Sequence, residues 1–69
     1  MIYNMLVIEV NYSNNPNQVI VTCQDRSTIL TAICSKNLSP QIGDKVYVLH
    51  DPNHLDYYGY DAVATQLVK

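Results

Sequence analysis

The chain has no phenylalanine and no tryptophan, and only two glycines among its 69 residues. Two glycines leave no material for a glycine-rich phosphate-binding loop, which excludes the nucleotide enzymes built on one. Charge is scarce as well. Four Lys+Arg and six Asp+Glu make up 14% of the residues and leave a net charge of −2, against a typical charged share of about 25%. The four cations, Arg26, Lys36, Lys45 and Lys69, are scattered along the chain. They make no basic face of the kind that holds a nucleic-acid backbone. The longest strongly apolar run, "MLVI" at residues 5–8, is far too short to span a bilayer. No signal peptide is visible, so a cytoplasmic location without membrane contact is expected. The two cysteines, Cys23 and Cys34, match no zinc-ligand spacing by themselves.

The length allows one domain, residues 1–69, near the lower limit for a self-sufficient core. Such a core rarely contributes more than roughly 3–5 kcal/mol net without a staple, a metal or a partner. A weakly charged surface also gives little protection against association. Both points favour an oligomer or a partner-bound protein.

What the chain does have is β-branched residues and tyrosine, with turn residues at short intervals. That pattern belongs to an all-β domain of several short strands. Strands are expected at residues 2–12, 19–24 ("VIVTCQ"), 29–34 ("ILTAIC"), 45–50 ("KVYVLH") and 60–68 ("YDAVATQLV"). Pro16 and the asparagines of "SNNPNQ" favour a loop after the first strand. Pro40 and Gly43 limit residues 35–44 to one short helical turn.

Register follows from asking which pairing gives one apolar face. Closing the second hairpin at Asp25/Thr28 puts Cys23 opposite Leu30, Val21 opposite Ala32 and Val19 opposite Cys34. Closing the first at Tyr12/Val19 puts Val10 opposite Val21 and Ile8 opposite Cys23. The expected core face is therefore Leu6, Ile8, Val10, Val19, Val21, Cys23, Leu30, Ala32 and Cys34, with both cysteines as buried thiols. A meander followed by two more strands implies a five-stranded, partly closed antiparallel barrel, OB-like or SH3-like, because closure removes exposed edges.

The segment "LSPQIGDKVYVLHDP", residues 38–52, carries a leucine, then Gly-Asp, then alternating valines entering the fourth strand. With "TILTAI" before it, it resembles the OB-like TOBE domains of transporter ATPases and the related small molybdate-binding proteins. The resemblance covers about the second half of the chain and implies a barrel. Oxyanion binding, carried over, falls on Ser35 and Lys36. The Ser-x-Arg-Asn run of the molybdate binders has no counterpart, because the chain starts "MIYNMLV" without arginine.

Three constellations remain. The first is "LDYYGYD", which places Tyr57, Tyr58 and Tyr60 around Gly59 and beside Asp56 and Asp61. The rings suit base stacking, a protein interface, or simple coverage of the barrel end. Nearby carboxylates oppose a phosphate backbone, which favours a protein partner that packs on the rings and pairs with Asp56. The second is the outward face of strands two and three. It carries Ile20, Thr22, Gln24, Ile29, Thr31 and Ile33, with neither the aromatics nor the cations of a nucleic-acid-binding face, and reads as a self-association or partner patch. The third is "HDPNHLD", where His50, Asp51, His54 and Asp56 are ligand-like residue types in a turn that selects Asp and Asn anyway.

No catalytic set is apparent. Asp56 and Asp61 are the nearest approach to a carboxylate pair, and so small a domain leaves little room for a water-excluding pocket. The expectation is a small non-catalytic binding protein without a cofactor or metal. It acts through protein–protein contact or homo-oligomerisation, as an adaptor or inhibitor of the kind phage and other mobile elements encode. Its partner-binding residues are Tyr57, Tyr58, Asp56, Ile20, Ile29 and Ile33. The competing expectation is a barrel that binds a nucleotide or single strand through Tyr57, Tyr58 and Tyr60.

Overall fold

A computed structural model describes residues 2–51, 60 and 62–68. Five strands form a closed barrel in the order β1-β2-β3-β5-β4, with β4 returning to β1. They are β1 (Ile2–Tyr12), β2 (Gln18–Asp25), β3 (Thr28–Ser35), β4 (Lys45–His50) and β5 (Ala62–Leu67). A 3-10 turn, η1 (Lys36–Leu38), links β3 to β4. The all-β, five-stranded barrel expected from the turn spacing is present. It closes fully, and one seam is parallel: β3 pairs with β5 through Ile33–Val63 and Cys34–Ala64. Two residue pairs leave no periodic trace in the sequence, so an all-antiparallel sheet was the natural expectation.

β1 is long enough to serve two neighbours. Its first half, from Ile2 to Leu6, pairs with β4, and its second, from Leu6 to Tyr12, pairs with β2. The strand changes partner at a β-bulge, where the register slips between Val7 and Glu9. The extra residue reverses which side chains point inward. The core therefore takes Met5 and Val7 from this half, not Leu6 and Ile8: Leu6 is 39% exposed and Ile8 half-buried. Beyond the bulge Val10 faces Val21 as the hairpin register requires.

The turn before β4 secures the bulge. Val7 N–H donates to the Asp44 carbonyl (2.8 Å), and Gly43 N–H donates to the Val7 carbonyl (2.9 Å). Gly43 has φ +98°, a conformation that favours glycine. The Asp44 carboxylate accepts from Gln41 N–H (2.9 Å) and so closes the turn. Gly-Asp before the alternating valines is thus the device that stitches β4 onto β1.

The β2–β3 register matches the sequence argument at every position, from Gln18–Ser35 to Asp25–Thr28. Around the barrel the core is Met5, Val7, Val19, Val21, Cys23, Ala32, Cys34, Val46, Val48, Ala62 and Ala64, with Leu30, Leu38, Val10, Tyr3 and Leu67 packed against it. Every side chain of that inner set except Met5 is small, which suits the narrow interior of a five-stranded barrel. Cys23 and Cys34 are both buried free thiols. η1 is capped by the Ser35 hydroxyl, which accepts from Asn37 N–H (3.3 Å), and it ends at Ser39 in the left-handed region. Lys36 N–H donates to the Asn17 carbonyl (2.9 Å) and ties this turn to the β1–β2 loop.

Candidate functional site

Because opposed residues in a sheet share a face, the pairings define what the outside of the barrel presents. Ile20 on β2 lies opposite Ile33 on β3. Ile33 lies opposite Val63 on β5, Val63 opposite Leu49 on β4, and Leu49 opposite Ile2 on β1. Five aliphatic side chains, one per strand, thus follow each other across the outer surface. None belongs to the core cluster. Through Ile20 the row reaches β1 again at Asn11, well along the strand from Ile2. It is a climbing stripe, as the stagger of a closed barrel requires, and not a flat ring.

Exposure varies along the stripe. Ile2 is 66% exposed, Leu49 and Val63 are exposed and Ile20 is half-buried. Ile33, flanked by Ile20 and Val63, is only 3% exposed. The expectation that Ile33 offers free surface is therefore corrected: it lies outward in register but is hidden, and forms the floor of the stripe. Ile29 is 57% exposed and belongs to a second row, Leu6–Gln24–Ile29. Between the rows runs a polar one, Glu9–Thr22–Thr31.

The β2–β3 part of this surface is the part expected from the sequence; Ile2, Leu49 and Val63 extend it beyond that expectation. The signal was present. In "KVYVLH" the buried valines alternate with Tyr47 and Leu49. In "AVATQL" the two small alanines that fit a narrow interior leave Val63 outside.

Tyr57, Tyr58 and Asp56 lie outside the described residues, as do His54 and Asp61. Tyr60 is half-buried. His50 ends β4, with its ring 6.2 Å from that of Tyr3. Among the described residues no three His, Cys, Asp or Glu side chains converge as a metal site would require. The Ser35 hydroxyl is engaged as the cap of η1, and Lys36 is exposed. A shallow open depression lies among Asn37, Leu38, Tyr47, Gln66 and Leu67. At its margin the β4–β5 register slips, and the Thr65 hydroxyl donates to the Tyr47 carbonyl (3.2 Å).

Among the described residues, no helix is long and apolar enough to cross a membrane. Comparison of the chain with protein-family models, curated proteins and solved structures gave no match.

Proposed function

We infer that this is a small non-catalytic binding protein that acts by protein–protein contact, with the outer aliphatic stripe as its contact surface. The observation that carries this reading is the continuity of Ile20, Ile33, Val63, Leu49 and Ile2 across all five strands. Single surface aliphatics are ordinary, whereas contiguous ones mark interaction sites. The low charge of the chain supports it further. The contact is with a partner protein or with another copy, in a cytoplasmic adaptor or inhibitor of the phage or mobile-element kind. The strand order, with β3 parallel to β5, supports reading the barrel as OB-type over SH3-type.

The test uses Leu49→Lys and Val63→Lys, two exposed positions outside the core. Both variants should keep the strand-type circular dichroism of the wild type and lose self-association or partner binding. Variants that fold and retain every contact of the wild type would remove the stripe from the account.

One observation favours a second reading. OB-type barrels bind oligonucleotides on the β2–β3 face and its flanking β1–β2 and β4–β5 connections. The β4–β5 connection here carries Tyr57, Tyr58 and Tyr60. Against it, the face itself has no ring and no cation, and Asp51, Asp56 and Asp61 share that connection. Micromolar binding of a short oligonucleotide that survives moderate salt and vanishes in Tyr57→Ala/Tyr58→Ala would promote this reading.

A further inference from the structure

A slip in the β4–β5 ladder decides what stands beside Tyr47. On the outer face of β4, Tyr47 lies between the buried Val46 and Val48. Starting from Val48–Ala64, an even ladder would place Thr65 opposite Tyr47. The register slips instead, and Gln66 takes that position, with Leu67 opposite Val46. The Thr65 hydroxyl donates to the Tyr47 carbonyl (3.2 Å) and pins the extra residue. Bulges re-aim side chains in this way and are over-represented beside functional sites. Opposed residues in a ladder stand about 5 Å apart at Cβ, so a carboxamide now borders the tyrosine ring.

η1 completes the surroundings. Ser35 caps it, and Ser39 ends it in the left-handed region. Asn37 and Leu38 from this turn, with Tyr47, Gln66 and Leu67 from the sheet, line an open depression of about 670 Å³. Sites for small molecules run from about 300 to 1,000 Å³. Leu38 and Leu67 pack on the core and give the depression an apolar floor. Asn37 and Gln66 are exposed, and Tyr47 is half-buried. The five lining residues are uncharged, but cations flank them. Lys36 precedes Asn37, and both are exposed. Lys45, also exposed, shares the outer face of β4 with Tyr47, roughly 7 Å away along the strand. The neighbouring carboxylate, Asp44, is turned to Gln41 N–H (2.9 Å). Two of the chain's four cations thus stand within two residues of the lining.

Each of these features selects something in a ligand. The Tyr47 ring offers a face on which a flat conjugated ring stacks. A carboxamide presents a donor and an acceptor in one plane, the match for the N6/N7 edge of adenine. Lysine is a point-charge partner for phosphate. We propose that this depression binds an adenine mononucleotide, with the base against Tyr47, its edge on Gln66 and its phosphate toward Lys36 and Lys45. Two lysines suit a single phosphate group and not a polynucleotide backbone, in keeping with a chain of net charge −2. The site shares no residue with the aliphatic stripe or with Tyr57, Tyr58 and Tyr60, and it does not depend on the protein-contact reading.

Two-dimensional NMR of the full chain, titrated separately with AMP, adenosine and inorganic phosphate, tests this. AMP should shift the amides of Asn37, Leu38, Tyr47, Gln66 and Leu67, with a Kd on the order of 0.1–1 mM, as an open site implies. Adenosine should shift the same amides and bind more weakly. Inorganic phosphate at equal concentration should leave Tyr47 and Gln66 unmoved. Gln66→Ala, at an exposed position, should keep the spectrum of a folded barrel and weaken AMP binding roughly threefold to tenfold, the usual effect of losing a hydrogen bond. Lys45→Gln should weaken AMP and leave adenosine unchanged. Absence of a saturable shift at millimolar AMP, or equal shifts from phosphate alone, overturns the proposal. So does a folded Gln66→Ala that binds AMP as the wild type does. Shifts confined to Tyr57, Tyr58 and Tyr60 also overturn it, and support the competing nucleotide reading instead. The stripe as contact surface stands or falls separately, on the lysine variants at Leu49 and Val63.

Discussion

Cys23 shows how the narrow core constrains single residues. Its thiol is pushed from an ordinary 9.0 up to about 11, first by burial and then by the nearby Cys34, whose own pKa burial also raises. The folded state therefore holds the Cys23 proton more tightly than the unfolded chain. Stability from this site is complete below pH 9 and declines as the pH rises toward about 11. At about 1.4 kcal/mol per pH unit over roughly two units, the loss is on the order of 3 kcal/mol at most. Urea unfolding at neutral and alkaline pH should show the decline, and Cys23→Ala should flatten it. A thiol reagent at neutral pH should label the native protein slowly and the denatured protein fully.

The turn residue Arg26 stands at the opposite extreme of exposure. It has φ 56°, in the left-handed region that favours glycine, at the first central position of the two-residue turn between β2 and β3. Holding a side chain there costs about 1–2 kcal/mol, and the added freedom of an unfolded glycine offsets roughly half of it. Arg26→Gly should therefore raise the urea midpoint, by about 0.5–1 kcal/mol in stability.

At the scale of the element, β1 separates what the sequence reveals from what it conceals. The β2–β3 hairpin was legible to the last residue, because a two-residue turn fixes register and strict alternation confirms it. In β1 the run Met5–Leu6–Val7–Ile8 is apolar at every position. Either alternation then fits, and the bulge that decides between them depends on hydrogen bonds to Gly43 and Asp44, far along the chain. The consequence can be measured. Met5→Ala should cost about 2–5 kcal/mol, the usual range for truncating a buried side chain. Leu6→Ala, at a 39% exposed site, should cost well under half as much. Equal losses would restore the unbulged register.

The stripe is also an element-scale feature, made of one residue from each strand. Its β2 and β3 members followed from the hairpin register. Its other three members depend on the parallel seam and on the β4–β1 closure, which no local pattern announces. Within it Ile33 and Ile29 behave differently, although both lie outward on β3. Ile33→Lys places a charge where 3% of the side chain is exposed and should destabilise the fold by several kcal/mol. Ile29→Lys, at 57% exposure, should leave the unfolding midpoint of the monomer within about 0.5 kcal/mol of wild type.

At the scale of the whole molecule, the barrel couples a small interior to an outer surface with few charges. The core is built largely from valine, alanine and cysteine, so much of the larger aliphatic content lies outside it. Ile2, Leu6, Ile29, Ile42 and Leu49 are all exposed. A partner or second copy that covers them adds the burial that a domain of this size otherwise lacks. Of these residues, only those in the stripe are continuous across every strand. The most direct test compares the wild type with the Leu49→Lys/Val63→Lys double variant for self-association and for retention of proteins from the native host, in one sedimentation and affinity-capture experiment. The wild type should form a specific contact and the folded double variant should lose it. A folded double variant that keeps the same contacts, or a wild type that forms none, would contradict it.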